Sequence, residues 1–370
     1  VANIPSKELS KLNHIDLLRG IAVILVVITH VALTDRNITE VWRARLIFGQ
    51  VGVQLFFFLS AYTLCRSMSA RREEHYVRNF YLRRFFRIAP LYYAGIVIYL
   101  IVALTPLLNR QGPLSHIEMY TPLSVLLNIV FLHSFVEQAY NSIVPGGWSI
   151  GTEMLFYLLF PAIFNYYSKI RNVVWLFLLP LAAFIIATLY TATCYAAFKE
   201  EVFTNHFFFA FIINQLPIFA LGISYFFLEK FIPTKLPPLV SMALFLVLFF
   251  AALILSRKLT HNINLTIFVA GLSFAFLFNF FKHAGLNLPI LARIGQLSFS
   301  IYIFHFLFAY PLSNEISIHI SGRFNATTVL VINFLITLTL SALLAILSEK
   351  FIEKPGIALG KKVIGRLDNK

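Results

Sequence analysis

Residues 14–30, HIDLLRGIAVILVVITH, place His14, Asp16 and Arg19 close together, continue as an apolar run and close on a second imidazole, His30. Such a run suits a membrane-crossing helix, because 1.5 Å of rise per residue has to cover roughly 30 Å of hydrocarbon. On that helix the step from Arg19 to His30 turns through about 1100°, three turns and about 20°, and rises about 16 Å. The guanidinium and the imidazole therefore share one face at opposite depths.

The pattern recurs along the chain. Of 370 residues, 59% are hydrophobic and 12% charged, Phe occurs 40 times, and the mean hydropathy is +0.80, which excludes a water-soluble fold of this size. Apolar runs predict ten spans at about 13–34, 46–65, 88–108, 148–168, 172–193, 207–228, 237–256, 262–281, 297–314 and 326–348. The first run is too long for a signal peptide and no small-residue cleavage site follows it, so none is expected. Cys65 and Cys194 fall at opposite surfaces on this map, which argues against a bridge, and no metal-ligand spacing occurs.

Sidedness follows from the loops, since cytoplasmic segments accumulate Lys and Arg. With the N-terminus inside, inner segments carry 22 of the 30 basic residues, and the 16 acidic residues split 8 and 8. The whole net charge of +14 then faces the cytoplasm. The segment PLSVLLNIVFLHSFV at 122–136 is short for a span and is expected to be re-entrant or interfacial. Were it to cross, the tally would become 14 inside and 16 outside, with no bias left. The expected fold is an all-α integral membrane protein of about ten transmembrane helices, with both termini cytoplasmic. It forms a single polytopic domain over residues 1–370, core 13–355, with no appended soluble domain.

Four clusters could carry chemistry. Arg19 and His30 are the first; an ionisable group at depth is costly, about 2.5–3.5 kcal/mol for Arg, and faces a bundle interior or a cavity. A snorkelling Arg19 with an interfacial His30 bonded to a carbonyl would give the same sequence. The second, NFYLRRFFRIAPLYY at 79–93, sets Arg83, Arg84 and Arg87 at helical spacings below Arg66, Arg71, Arg72 and Arg78. Guanidinium forks suit phosphates, although the positive-inside rule or anionic headgroups would also select them. In the third, PGGWSIGTEMLFYLLFP at 145–161, Glu153 falls at the same outer depth as His30, where a carboxylate would fix an imidazole tautomer. Stabilisation of a helix N-terminus is the plain alternative. The fourth, IGQLSFSIYIFHFLF at 294–308, sets Tyr302 and His305 three residues apart near mid-membrane, where a core histidine bonded to a neighbouring helix is the plain alternative. The remaining histidines, His133 among them, receive no role.

These segments together resemble membrane-bound acyltransferase family 3. The likeness rests on LLRGIAVILVVITH with Arg19 and His30, VGVQLFFFLSAY, YLRRFFRIAPLYY, GGWSIGTEMLFYLLFP, IGQLSFSIYIFHF and LSEKFIEKP, in that order. Many members pair glutamates after the Trp-Ser; here Met154 follows Glu153. The resemblance implies transfer of an acyl group, usually acetyl from acetyl-CoA, to a hydroxyl of a glycan or lipid-linked oligosaccharide such as O-antigen, at a bacterial inner membrane. On that expectation Arg83, Arg84 and Arg87 bind the CoA phosphates, and His30, Arg19, Glu153, Tyr302 and His305 form the catalytic set. His30 would be the general base, Arg19 would hold the helix face or the donor, and Tyr302 or His305 would bond the developing oxyanion. Acyl-CoA, the glycan and membrane lipids are the expected partners, with no metal and no nucleic acid. A transporter or flippase is the rival class, although neither repeated halves nor paired broken spans occur.

Overall fold

The computed structural model describes residues 13–35, 38–71, 73–105, 117–231, 236–258, 263–320 and 322–369. Arg72, His116, His261, residues 106–108 of the third expected span and residue 262 of the eighth lie outside them. In chain order the helices are α1 Asn13–Thr34, α2 Glu40–Ile47, α3 Gly52–Ser69, α4 Tyr76–Leu104, α5 Pro122–Ile129 and α6 Gly147–Ser168. Then come α7 Val174–Phe198, α8 Glu201–Thr204, α9 His206–Ala210, α10 Ile212–Phe231, α11 Pro238–Lys258 and α12 Ile263–His283. The chain continues with α13 Pro289–Gln296, α14 Ser298–Phe304, α15 Phe306–Ala309, α16 Pro311–Ile320, α17 Ala326–Ser348 and α18 Lys354–Asp368. No strand occurs among the described residues. There, nine helical stretches are long and apolar enough to cross a membrane, or ten if the bent pair α13 with α14–α15 is one span. This is an all-α integral membrane protein.

Two boundaries differ from expectation, each for a local reason, and the short segment behaves as expected. The third span begins at Tyr76 rather than near 88, so Arg83, Arg84 and Arg87 ride on the membrane helix itself. Hydropathy starts a span where charge stops; the backbone does not, and Pro90 inside α4 leaves the helix unbroken. The span expected at 297–314 is divided among α14, α15 and the start of α16, with single turn residues at His305 and Tyr310. Segment 122–136 holds only the eight residues of α5 and a 3₁₀ turn at His133–Phe135, far less than about twenty residues of spanning helix.

The helices pack as two compact units. The first comprises the described residues within 13–22, 51–74 and 152–295, and the second those within 23–50, 75–151 and 296–369. In the first, α10 packs on α3 and α7, and α12 on α11. Its core holds an aromatic stack in which Phe219 lies 3.9 Å from Phe156 and 4.7 Å from Phe57. Buried amides tie its helices: Gln54 Nε2 donates to Gln215 Oε1 at 3.0 Å, and Asn264 Nδ2 to Thr191 Oγ1 at 2.8 Å. Such bonds join helices where lipid offers no hydrophobic drive. In the second unit α14 packs on α17, and α18 on α4. A π-helical turn, Glu349–Glu353, leads from α17 into α18. There Ser300 Oγ lies 2.6 Å from Ser348 Oγ and also donates to the Glu353 carboxylate.

Candidate active site

Within the second unit His30 and His305 meet. His30, in the last two turns of α1, is half-buried, and His305, the single turn residue between α14 and α15, is fully buried. His305 Nε2 lies 3.2 Å from His30 Nδ1, and the ring centroids are 5.0 Å apart. The partners assign the protons. His305 Nδ1 faces the carbonyls of Tyr302 at 2.8 Å and Ile301 at 3.3 Å, so it carries the hydrogen and leaves Nε2 as an acceptor. His30 Nδ1 faces both that acceptor and the Val26 carbonyl at 2.9 Å, so it too is the protonated nitrogen. The lone pair of His30 is then on Nε2. Two imidazoles in line hold a base in one tautomer, as a carboxylate would.

Phe306 packs against both rings, with centroids 4.5 Å from His30 and 3.9 Å from His305. Tyr310 stands 6.3 Å from His30. Tyr302 turns elsewhere: its hydroxyl lies 3.0 Å from the Gly146 carbonyl and 2.8 Å from Ser149 Oγ, which itself lies 3.0 Å from the Gly146 carbonyl. This triangle uses the hydroxyl protons of both residues. Tyr302 therefore anchors the turn at the start of α6, and it would have to release that turn to bond an oxyanion.

Gly146 has φ +74°, and a Cβ there would meet Tyr302 Oη at 2.8 Å and Phe306 Cε2 at 2.9 Å. Gly146→Ala is therefore expected to pay twice: about 1–3 kcal/mol of backbone strain, and displacement of both rings. Gly285, at φ +64° with nothing within 4 Å of its Cβ, is the control that pays the strain alone. Thermal unfolding in detergent should show the larger loss for Gly146→Ala; equal losses would mean that the turn does not bear on these rings.

Glu153 belongs to the first unit. Its Oε1 accepts from Ser60 Oγ and from Tyr157 Oη, both at 2.5 Å, and Ser60 Oγ lies 3.3 Å from Tyr157 Oη. The i, i+4 spacing on α6 brings Tyr157 over Glu153, and α3 supplies the serine. Arg19 lies in the same unit, half-buried on the unbroken helix α1 that also carries His30. On α4 Arg83 and Arg84 are half-buried and Arg87 is exposed. The Arg84 guanidinium lies 5.9 Å from the Phe80 ring. Arg78, counted with the cationic cluster in the sequence, instead pairs with Asp368 at the end of α18, where Asn79 Nδ2 also donates at 3.0 Å.

The sequence did not signal the His30–His305 contact, Ser60 or Ser149. Contacts between helices leave no local periodicity; Ser60 sits inside an apolar run and Ser149 just after a glycine turn. No group of three or more His, Cys, Asp or Glu that could hold a metal occurs among the described residues.

Comparison with known protein families gives a match over most of the chain. The family model described as an acyltransferase domain, that of acyltransferase family 3, covers residues 12–346. No curated protein and no solved structure matches the chain.

Proposed function

Because the chain belongs to acyltransferase family 3 and is a membrane acyltransferase, we propose that it carries acetyl from cytoplasmic acetyl-CoA to a hydroxyl of a glycan or lipid-linked sugar on the opposite face. The observation that carries this reading is the His30–His305 contact, which leaves His30 Nε2 as a lone pair held in place by a second imidazole.

In the proposed reaction His30 Nε2 takes the proton of the acceptor hydroxyl as its oxygen attacks the thioester carbonyl. The C–S bond then breaks, the thiolate recovers the proton from His30, and the products are the O-acetyl ester and CoA. The charge on the transient imidazolium is shared through Nδ1–H with the lone pair of His305 Nε2. The tautomer-fixing role expected of Glu153 thus passes to His305. Glu153, bonded to Ser60 and Tyr157, is assigned to ordering α6 against α3.

The donor's phosphates are assigned to Arg84 and Arg87, with Arg83 beside them. Helix α4 supports a route from there to the histidines. From Arg87 to Tyr99 it rises about 18 Å, and Tyr99 Oη donates to the carbonyl of Ile303, two residues before His305, at 2.7 Å. The long pantetheine arm of CoA would lie along that rise. Arg84→Ala and Arg87→Ala should each raise the donor KM about tenfold, the scale of a lost charge-assisted hydrogen bond, and leave kcat near wild type. Kinetics with labelled acetyl-CoA and purified chain in detergent measure this. An unchanged donor KM in both variants removes the phosphate assignment.

A further inference from the structure

His133 stands out among the residues that the reaction does not use. It is fully buried, although it lies in the short segment that does not cross the membrane. The segment is bent to bring it there: Phe131, just before it, sits at φ 59°, a conformation an aromatic residue seldom adopts. His133 Nε2 lies 2.9 Å from the Gly147 carbonyl, and Ser134 Oγ donates to the Trp148 carbonyl at 3.3 Å. Tyr92 braces the ring from behind, with planes 15° apart and centroids at 5.8 Å, and is itself held by a 2.6 Å hydrogen bond to Asn128. Burial keeps the imidazole below its usual pKa despite the opposing pull of the Gly147 and Leu127 carbonyls, so the ring is neutral and carries one N–H.

The turn gripped by His133 is the one on which Tyr302 and Phe306 rest. Gly147 follows Gly146, whose carbonyl accepts from Tyr302 and where an added Cβ would meet Phe306 Cε2 at 2.9 Å. Phe306 in turn lies on His30 and His305. We propose that His133 is a positioning residue for acyl transfer: by donating Nε2–H to the Gly147 carbonyl it fixes the turn that seats Phe306 against the His30–His305 pair. The short helix α5 and the 3₁₀ turn after it then have a use, as the bracket that carries this imidazole. The inference rests on His30 being the base of the proposed reaction.

The test uses the full chain in detergent, with His133→Leu, His133→Gln and Gly151→Ala. Glutamine keeps an N–H donor where His133 has one, and leucine keeps the bulk without the donor. In Gly151→Ala a new Cβ would meet Ser134 Oγ, and also His133 Nε2 at 2.7 Å, pushing both side chains of the bracket off the turn although Ala ordinarily favours a helix over Gly. One readout needs no acceptor: diethyl pyrocarbonate modification of His30, read by mass spectrometry relative to exposed His319. His133→Leu and Gly151→Ala should speed it about threefold or more as Phe306 loosens, with His133→Gln staying near wild type. The second readout is transfer of labelled acetyl to a membrane glycan extract. There kcat should fall about 10²-fold in His133→Leu, the scale of a misplaced reacting group, with the donor KM unchanged and His133→Gln retaining most activity.

The inference is overturned if leucine and glutamine behave alike, or if His30 modification is the same in all variants. Should His133→Leu fail to fold, Gly151→Ala against His133→Gln decides by the same criteria. If His30→Ala keeps its transfer activity the base reading falls, whereas the modification rates still judge the bracket by themselves.

Discussion

His30→Ala is expected to lower acetyl transfer by about 10²–10⁴-fold, the usual contribution of a positioned general base, while labelled acetyl-CoA still binds. The expectation follows from the tautomer. With Nδ1–H directed to the Val26 carbonyl and to His305, the basic lone pair of His30 is on Nε2. Alanine removes that lone pair but leaves α1, which is held by apolar residues such as Val23, Val26, Val27 and Val31, all fully buried. Folding and donor binding should therefore survive, and the loss should fall on kcat. Turnover and equilibrium binding measured on the same preparation separate the two. Near-normal turnover, or loss of donor binding in step with turnover, would remove the base assignment.

His305→Phe should lower kcat by about 10²-fold with little change in donor KM. Phenylalanine fills the same fully buried space yet offers no acceptor to His30 Nδ1–H. His30 Nδ1–H then keeps only the Val26 carbonyl of these two acceptors, and the imidazolium formed in the reaction loses the His305 lone pair. His305→Gln can present an amide oxygen to the same hydrogen, so it should recover a large part of the rate. Steady-state kinetics of the two variants beside wild type make the comparison. If glutamine is no better than phenylalanine, His305 contributes shape and not a hydrogen bond.

The fold was the legible part of the sequence. Period and length of the apolar runs are local properties, and a bilayer imposes them strongly, so the run at 13–34 reads as one helix and the structure forms it over Asn13–Thr34. Segment 122–136 was legible for the same reason, as too short to cross. Helix α4 was harder. Its first three turns carry the arginines, and a hydropathy threshold sees a loop where the backbone continues a helix. The turn residue at His305 was hidden in an apolar run, and the backbone there stays helical, its N–H bonded to the Ile301 carbonyl at 2.9 Å.

The candidate site was legible as a set of residues and not as a geometry. His30, Tyr302 and His305 stand out as polar groups in hydrocarbon, but nothing in their spacing says which nitrogen faces which. Depth placed Glu153 and His30 at one level but named no partners; the Glu153 carboxylate bonds Ser60 and Tyr157, and His305 lies against His30. Tyr302 looked like a free donor because its partners, the Gly146 carbonyl and Ser149, come from residues about 150 positions away in the chain. His133 was passed over because a histidine in a short segment is ordinarily a surface residue. Its burial depends on the positive φ of Phe131 and on a glycine turn, and neither has a periodicity to read.

A cryo-EM map of the full chain with acetyl-CoA bound tests the central claim most directly. It should place the thioester carbonyl within about 4 Å of where an acceptor hydroxyl bonded to His30 Nε2 would sit, with the CoA phosphates on Arg84 and Arg87. A thioester bound out of reach of His30, or phosphates held away from α4, would contradict the account.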